Sequence, residues 1–230
     1  MITKNNLLDE VLSFDPGLVT IFERLNLTCK DVKQTIMEAS EGSGNNPDFV
    51  VELLKAYSNK DCFPQTELKA FSIPCLLDYL KKTHCHYLNK LLPQIEQSIN
   101  QLIKKFGPSY PDLVLLTCIF LKYKNELEEH IGNEETKLFP YIESLLDAKH
   151  YMSSPYSTRQ FIVEHDDDGI SFPEIRRIIH DNSPSTALPM PYRIFLIQLE
   201  LFEQDLLIHA KVEDEVLIPK IILLEDSFSV

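Results

Sequence analysis

Two segments of this 230-residue chain repeat one another. Leu127 to Ile142 and Leu206 to Ile221 share the frame L-x-x-H-x-x-x-E-[ED]-x-x-L-x-P-x-I, with His130 and Glu134 in the first copy and His209 and Glu213 in the second. A histidine and a glutamate four residues apart lie on one helical face about one turn apart, so both side chains reach a common point. The pair alone carries little weight. With 35 acidic residues in 230, about one of the seven histidines would have an acid at +4 by chance. The repetition marks paired structural roles, and the face the pairs occupy adds to it.

That face is apolar. Leu116, Phe120, Tyr123 and Leu127 lead at steps of three or four to His130 and Glu134, and Phe195, Leu199, Phe202 and Leu206 lead in the same way to His209 and Glu213. Such stripes are the core sides of helices. A carboxylate in a core is costly unless it is paired or binds a metal. Upstream, Leu77, Leu80, His84, Leu88, Leu91 and Ile95 form a third stripe, which turns His84 inward and leaves His86, beside Lys82, Thr83 and Lys90, expected in solvent. A fourth stripe, Phe161, Ile162, His165, Phe172 and Ile179, does the same for His165, with Gly169 on its side. His150 and His180 sit near helix ends and read as incidental.

Four inward histidines and two inward glutamates predict a metal centre of His84, His130, Glu134, His165, His209 and Glu213. Six ligands exceed one tetrahedral zinc site. If both glutamates bridge two ions, each ion receives two nitrogens and two oxygens. A solvent-derived oxo or hydroxo bridge brings a fifth donor and leaves one position open. Mixed imidazole and carboxylate ligation with open positions suits non-haem iron that meets a diatomic ligand. The expected cofactor is therefore two Fe ions, oxo- or hydroxo-bridged and carboxylate-bridged. Glu126, one turn before His130, and Glu164, directly before His165, are expected to tune ligand basicity or proton access, as carboxylates behind metal ligands do.

The elements that must carry these residues are helices. Six glycines and little β-branched alternation predict an all-α chain. Residues 1–57 read as a small helical N-terminal domain, with helices near 5–13, 16–25, 30–41 and 48–57. The polar stretch 58–72, broken by Pro64, reads as a linker. Residues 73–230 read as an up-down-up-down four-helix bundle with helices near 74–105, 111–148, 157–182 and 190–223, separated at Gly107-Pro108, Ser153-Ser154-Pro155 and Asn182-Ser183-Pro184.

Composition excludes several classes of function. A net charge of −13 opposes binding to nucleic acid and to anionic membrane surfaces, both of which need surplus Lys and Arg. No apolar run approaches the roughly 20 residues that span a bilayer. The N-terminal stretch has acids among its apolar residues and no small-residue cleavage site, so a cytoplasmic location is expected. Cys29, Cys62, Cys75, Cys85 and Cys118 are odd in number and unpaired in spacing, as for free thiols in a reducing compartment.

At these residues the sequence resembles the hemerythrin-like proteins, and within them the repair-of-iron-centres family. The likeness rests on Thr83-His84 ahead of Tyr87-Leu88 and Leu92-Pro93, on His130-x-x-x-Glu134 with Leu138-Phe139-Pro140, on Glu164-His165-Asp166, and on His209-x-x-x-Glu213 with Leu217-x-Pro219. The resemblance carries the iron-ligand role onto the same six residues. It implies a cytosolic protein that protects or repairs iron–sulfur clusters under nitrosative or oxidative stress. Its partners would be nitric oxide, oxygen or peroxide at the open positions, together with iron–sulfur proteins, and a homodimer is compatible with it. A second reading of the same site is a sensor or store that binds oxygen or nitric oxide without turnover. The N-terminal unit is also similar to that family's small domain, but Thr28-Cys29-Lys30-Asp31-Val32 stands where relatives usually carry Cys-Cys-Gly-Gly. Two-thiol chemistry is therefore not expected there.

Overall fold

The computed structural model describes residues 2–27, 33–59, 62–147, 157–159, 172–183 and 188–228. The chain is all-α. Among the described residues no strand occurs, only an isolated antiparallel bridge between Leu7 and Thr35.

The N-terminal part folds as short helices: α1 (Leu8–Phe14), a 3-10 turn (Pro16–Leu18), α2 (Val19–Arg24), α3 (Ile36–Gly42) and α4 (Pro47–Ser58). Local chemistry sets their starts. Thr35 accepts the Glu38 amide while the Glu38 carboxylate accepts the Thr35 amide, a reciprocal capping box that begins α3 at Ile36 instead of near 30. Asn46 accepts from the amides of Asp48 and Phe49 and sets Pro47 at the first position of α4, where a missing N–H costs nothing. Asn26, at φ 54°, turns the chain out of α2 in the left-handed region that asparagine tolerates. The stretch expected as a linker holds a helical turn, α5 (Gln65–Leu68), whose Leu68 is fully buried.

Four helical arms follow. The first is α6 (Ile73–His86), a π-helical turn (Tyr87–Leu91) and α7 (Leu92–Phe106). The second is α8 (Leu115–Asn133), a π turn (Glu134–Leu138) and α9 (Phe139–Leu146). Of the third the structure describes α10 (Pro173–Asp181). The fourth is α11 (Met190–Lys211), a π turn (Val212–Leu217) and α12 (Ile218–Phe228).

By compactness the chain divides into two units, Met1–Thr83 with Ile208–Val230, and His84–Leu207. Both divisions fall inside continuous helices, α6 and α11. In the second unit all four arms contribute to one core: Tyr87, Ile95 and Ile99 from the first, Leu116, Phe120 and Leu127 from the second, Ile175 and Ile179 from the third, and Phe195, Leu199 and Phe202 from the fourth. Tyr87 meets Phe202 edge-on at 5.4 Å, and Tyr123 meets Phe172 at 4.9 Å. Polar ties fix the arms around this core. Lys124 pairs with Glu96 at 3.0 Å, Ser98 donates to Gln198 at 2.8 Å, and Glu203 receives both the Phe172 amide and the Arg176 guanidinium.

In the first unit Phe49 of α4 packs against Phe71 at 5.0 Å and Tyr79 of α6 at 5.9 Å. Buried Arg24 donates to the Tyr57 hydroxyl at 3.0 Å, which in turn meets the Tyr79 hydroxyl at 2.7 Å. The C-terminal segment joins this unit through α5. Gln65 donates to the Glu215 carbonyl at 2.9 Å, and Lys220 donates to the Lys69 carbonyl at 2.8 Å.

Candidate metal centre

Each of the three π turns lies beside a candidate ligand and ends two residues before a proline. Leu92, Phe139 and Ile218 donate their amides five residues back, to the carbonyls of Tyr87, Glu134 and Glu213. The prolines that follow, Pro93, Pro140 and Pro219, have no amide hydrogen, and their rings crowd the carbonyl four residues earlier. The helix widens by one residue instead of breaking, a distortion frequent at functional sites. For Pro219 the displaced carbonyl is that of Glu215, and the Gln65 amide satisfies it.

Glu134 opens the second π turn and is fully buried. Its two carboxylate oxygens face two different imidazoles: Oε2 lies 3.0 Å from Nε2 of His84, and Oε1 lies 3.1 Å from Nε2 of His130. On the far side of its ring, His84 Nδ1 lies 2.9 Å from Oε1 of Glu135. An ionised carboxylate only accepts, so Nδ1 bears a proton in this contact, and in the neutral ring Nε2 then presents its lone pair toward Glu134. A lone pair and a carboxylate oxygen at 3.0 Å repel unless a proton or a cation lies between them. The His84 ring is held flat against Phe139, centroids 5.4 Å apart and planes 3° from parallel. These residues fit a metal: two oriented imidazoles flank one carboxylate that offers an oxygen to each.

In the first unit His209, at the end of α11, and Glu213, in the π turn that follows, repeat the spacing. Both are buried, and His209 Nε2 lies 3.9 Å from Glu213 Oε2, beyond hydrogen-bond reach. His84, His130, Glu134, His209 and Glu213 each offer a ligand atom of a kind that holds metal ions. His165 and Glu164 lie outside the described residues.

One expectation meets a different arrangement. His86 is buried, not in solvent. It shares its side of α6 with Tyr79 and Thr83, both buried, so the covered arc of this helix is wider than its aliphatic stripe. On the far ring nitrogen of His84 the carboxylate is that of Glu135. Glu126 is more than half exposed and points to Lys122 at 3.9 Å. The repeat frame held a signal for Glu135, because an acid directly follows the glutamate in both copies.

No helix of the described residues is long and apolar enough to cross a membrane. Residues 76–221 match the profile of the hemerythrin HHE cation binding domain, a span that contains every candidate ligand. Over nearly its whole length the chain is also similar to curated proteins. It is 20% identical to the iron-sulfur cluster repair protein ScdA of Staphylococcus haemolyticus strain JCSC1435, across 96% of this chain and 99% of that one. It is 25% identical to the iron-sulfur cluster repair protein YtfE of Pectobacterium carotovorum subsp. carotovorum strain PC1, across 96% and 98%. The chain belongs to the hemerythrin family.

Proposed function

We propose that the chain is a non-haem di-iron protein that protects or repairs iron–sulfur clusters, with His84, His130, Glu134, His165, His209 and Glu213 as iron ligands. The observation that carries this reading is the buried Glu134 carboxylate with one imidazole nitrogen at each oxygen, the disposition of a carboxylate shared by two cations. The repair role is supported by the curated relatives, named iron-sulfur cluster repair proteins, which the chain covers almost end to end.

Two iron ions would supply redox change and open positions for nitric oxide, oxygen or peroxide. The protein's own residues do the rest. The Glu135 carboxylate at His84 Nδ1 favours the tautomer whose Nε2 lone pair would face an ion, and Phe139 holds the ring plane. Tyr87 donates to Asp205 at 2.7 Å, a buried bond one turn before His209 that braces α11 beneath its ligand pair. His130, a quarter exposed, leaves its side of Glu134 the more accessible to a small solute.

The test is restoration of a cluster enzyme inactivated by nitric oxide, with iron-loaded protein against protein loaded with zinc. Recovery with iron alone supports repair. Stoichiometric uptake of nitric oxide without any recovery would replace this reading with that of a sensor or store.

A further inference from the structure

The π turn that carries Glu213, Val212–Leu217, is tied to a distant part of the sequence inside the turn and on both sides of it. Inside the turn, the Gln65 side-chain amide donates to the Glu215 carbonyl at 2.9 Å. Just past its end, Lys220 donates to the Lys69 carbonyl at 2.8 Å. Directly before its start, the Lys211 ammonium lies 5.7 Å from the centre of the Phe63 ring. All three partners belong to the short segment from Phe63 to Lys69, which includes α5. That segment is itself anchored: Leu68 is fully buried, and Phe71 just beyond it packs on Phe49 of α4.

The Gln65 bond answers a need that the turn creates. Ile218 donates its amide to Glu213, and Pro219 has none to offer the Glu215 carbonyl. In the other two π turns the carbonyl four residues before the proline belongs to an exposed residue, Asn89 or Thr136, where water serves. Glu215 is half-buried, so a protein donor takes the place of water there. A backbone carbonyl stripped of its donor favours a reshaped turn, and Glu213 lies two residues away. A metal ligand has to be held within about half an ångström of its place by elements that are themselves fixed. We propose that the Phe63–Lys69 segment is a clamp that positions Glu213, with Gln65 as its positioning residue. The proposal rests on the reading of Glu213 as an iron ligand. It gives the N-terminal part of the chain a role at the centre that needs none of its cysteines.

Two substitutions in the full-length protein test the clamp: Gln65→Leu keeps the bulk and removes the donor, and Gln65→Lys keeps a donor. Amide hydrogen exchange, with iron and after its removal, reads the turn directly. Gln65→Leu should speed exchange of the Ile218 amide about 3- to 10-fold, the range for one lost hydrogen bond. Amides of the Glu134–Leu138 turn should exchange as in the wild type. Iron release to a chelator should quicken about tenfold, the scale of a lost contact behind a metal ligand. Gln65→Lys should restore both rates. Unchanged exchange at Ile218, exchange that quickens equally in both turns, or no recovery in Gln65→Lys would each overturn the clamp. A loosened turn with normal iron release would overturn the positioning role, and Glu213→Gln then locates the fault. If Glu213→Gln also keeps its iron, the ligand reading of Glu213 has failed; if it loses iron, only the clamp has.

Discussion

The two copies of the repeated frame differ in what surrounds the same histidine–glutamate pair. At His130 and Glu134 the carboxylate sits between two imidazoles, and the histidine side chain is 25% exposed. At His209 and Glu213 the pair is closed off, with the side chains 6% and 3% exposed and 3.9 Å apart. Both copies widen into a π turn ahead of their proline. The frame therefore fixes the histidine–glutamate spacing and the backbone distortion, while solvent access and the carboxylate's partners come from residues outside it.

The largest effect should come from the carboxylate itself. Glu134→Gln should take iron from about two per chain to well below one, because an amide offers one oxygen where two cations need one each. Glu213→Gln should cost less. Metal analysis of the two variants side by side checks the order, and equal losses would erase the distinction between the copies.

Next is Glu135. Glu135→Gln should lower iron affinity about 10- to 100-fold by releasing the proton position on His84. Competition with a graded series of chelators measures it, and an unchanged affinity would reduce Glu135 to a surface acid.

The prolines should act more mildly and with opposite signs on two readouts. Pro140→Ala and Pro219→Ala restore an amide to the helix, which favours the helix by up to about 3 kcal/mol. Apo-protein melting should rise, and iron occupancy should fall about twofold as the widened turn that places each glutamate closes. A rise in both would mean that the π turns serve only packing.

Much of this was readable beforehand, for identifiable reasons. Helix positions followed from apolar periodicity, and the candidate ligand pairs from the repeated frame. The N-terminal helices lie close to their expected spans except where the Thr35 capping box delays α3. The π turns were not legible, because a proline inside a helical pattern can break, kink or widen it. His86 escaped because burial on α6 involves Tyr79 and Thr83 as well as the aliphatic stripe. The built-in turn at Gln65–Leu68 escaped because its anchors, Glu215 and Lys220, lie far along the chain.

His86 and Cys29 give the smallest expected effects on the centre. His86→Ala should leave iron content unchanged while lowering stability by about 1–3 kcal/mol, the cost of disturbing a buried polar group. Denaturant unfolding and metal analysis together test this, and lost iron would mark His86 as part of the centre. Cys29 lies outside the described residues, and its neighbours Lys30, Asp31 and Val32 supply no resolving thiol. Cys29→Ser should leave iron content, nitric oxide reaction and cluster restoration intact. Loss of restoration alone would give the N-terminal unit a single-thiol role.

Mössbauer spectroscopy of protein grown on enriched iron decides whether one carboxylate is shared between two irons. The air-oxidised protein should hold about two irons per chain, coupled into a diamagnetic pair, with that coupling lost in Glu134→Gln. A magnetically isolated single iron, or an iron-rich preparation that holds one zinc and no iron, would contradict it.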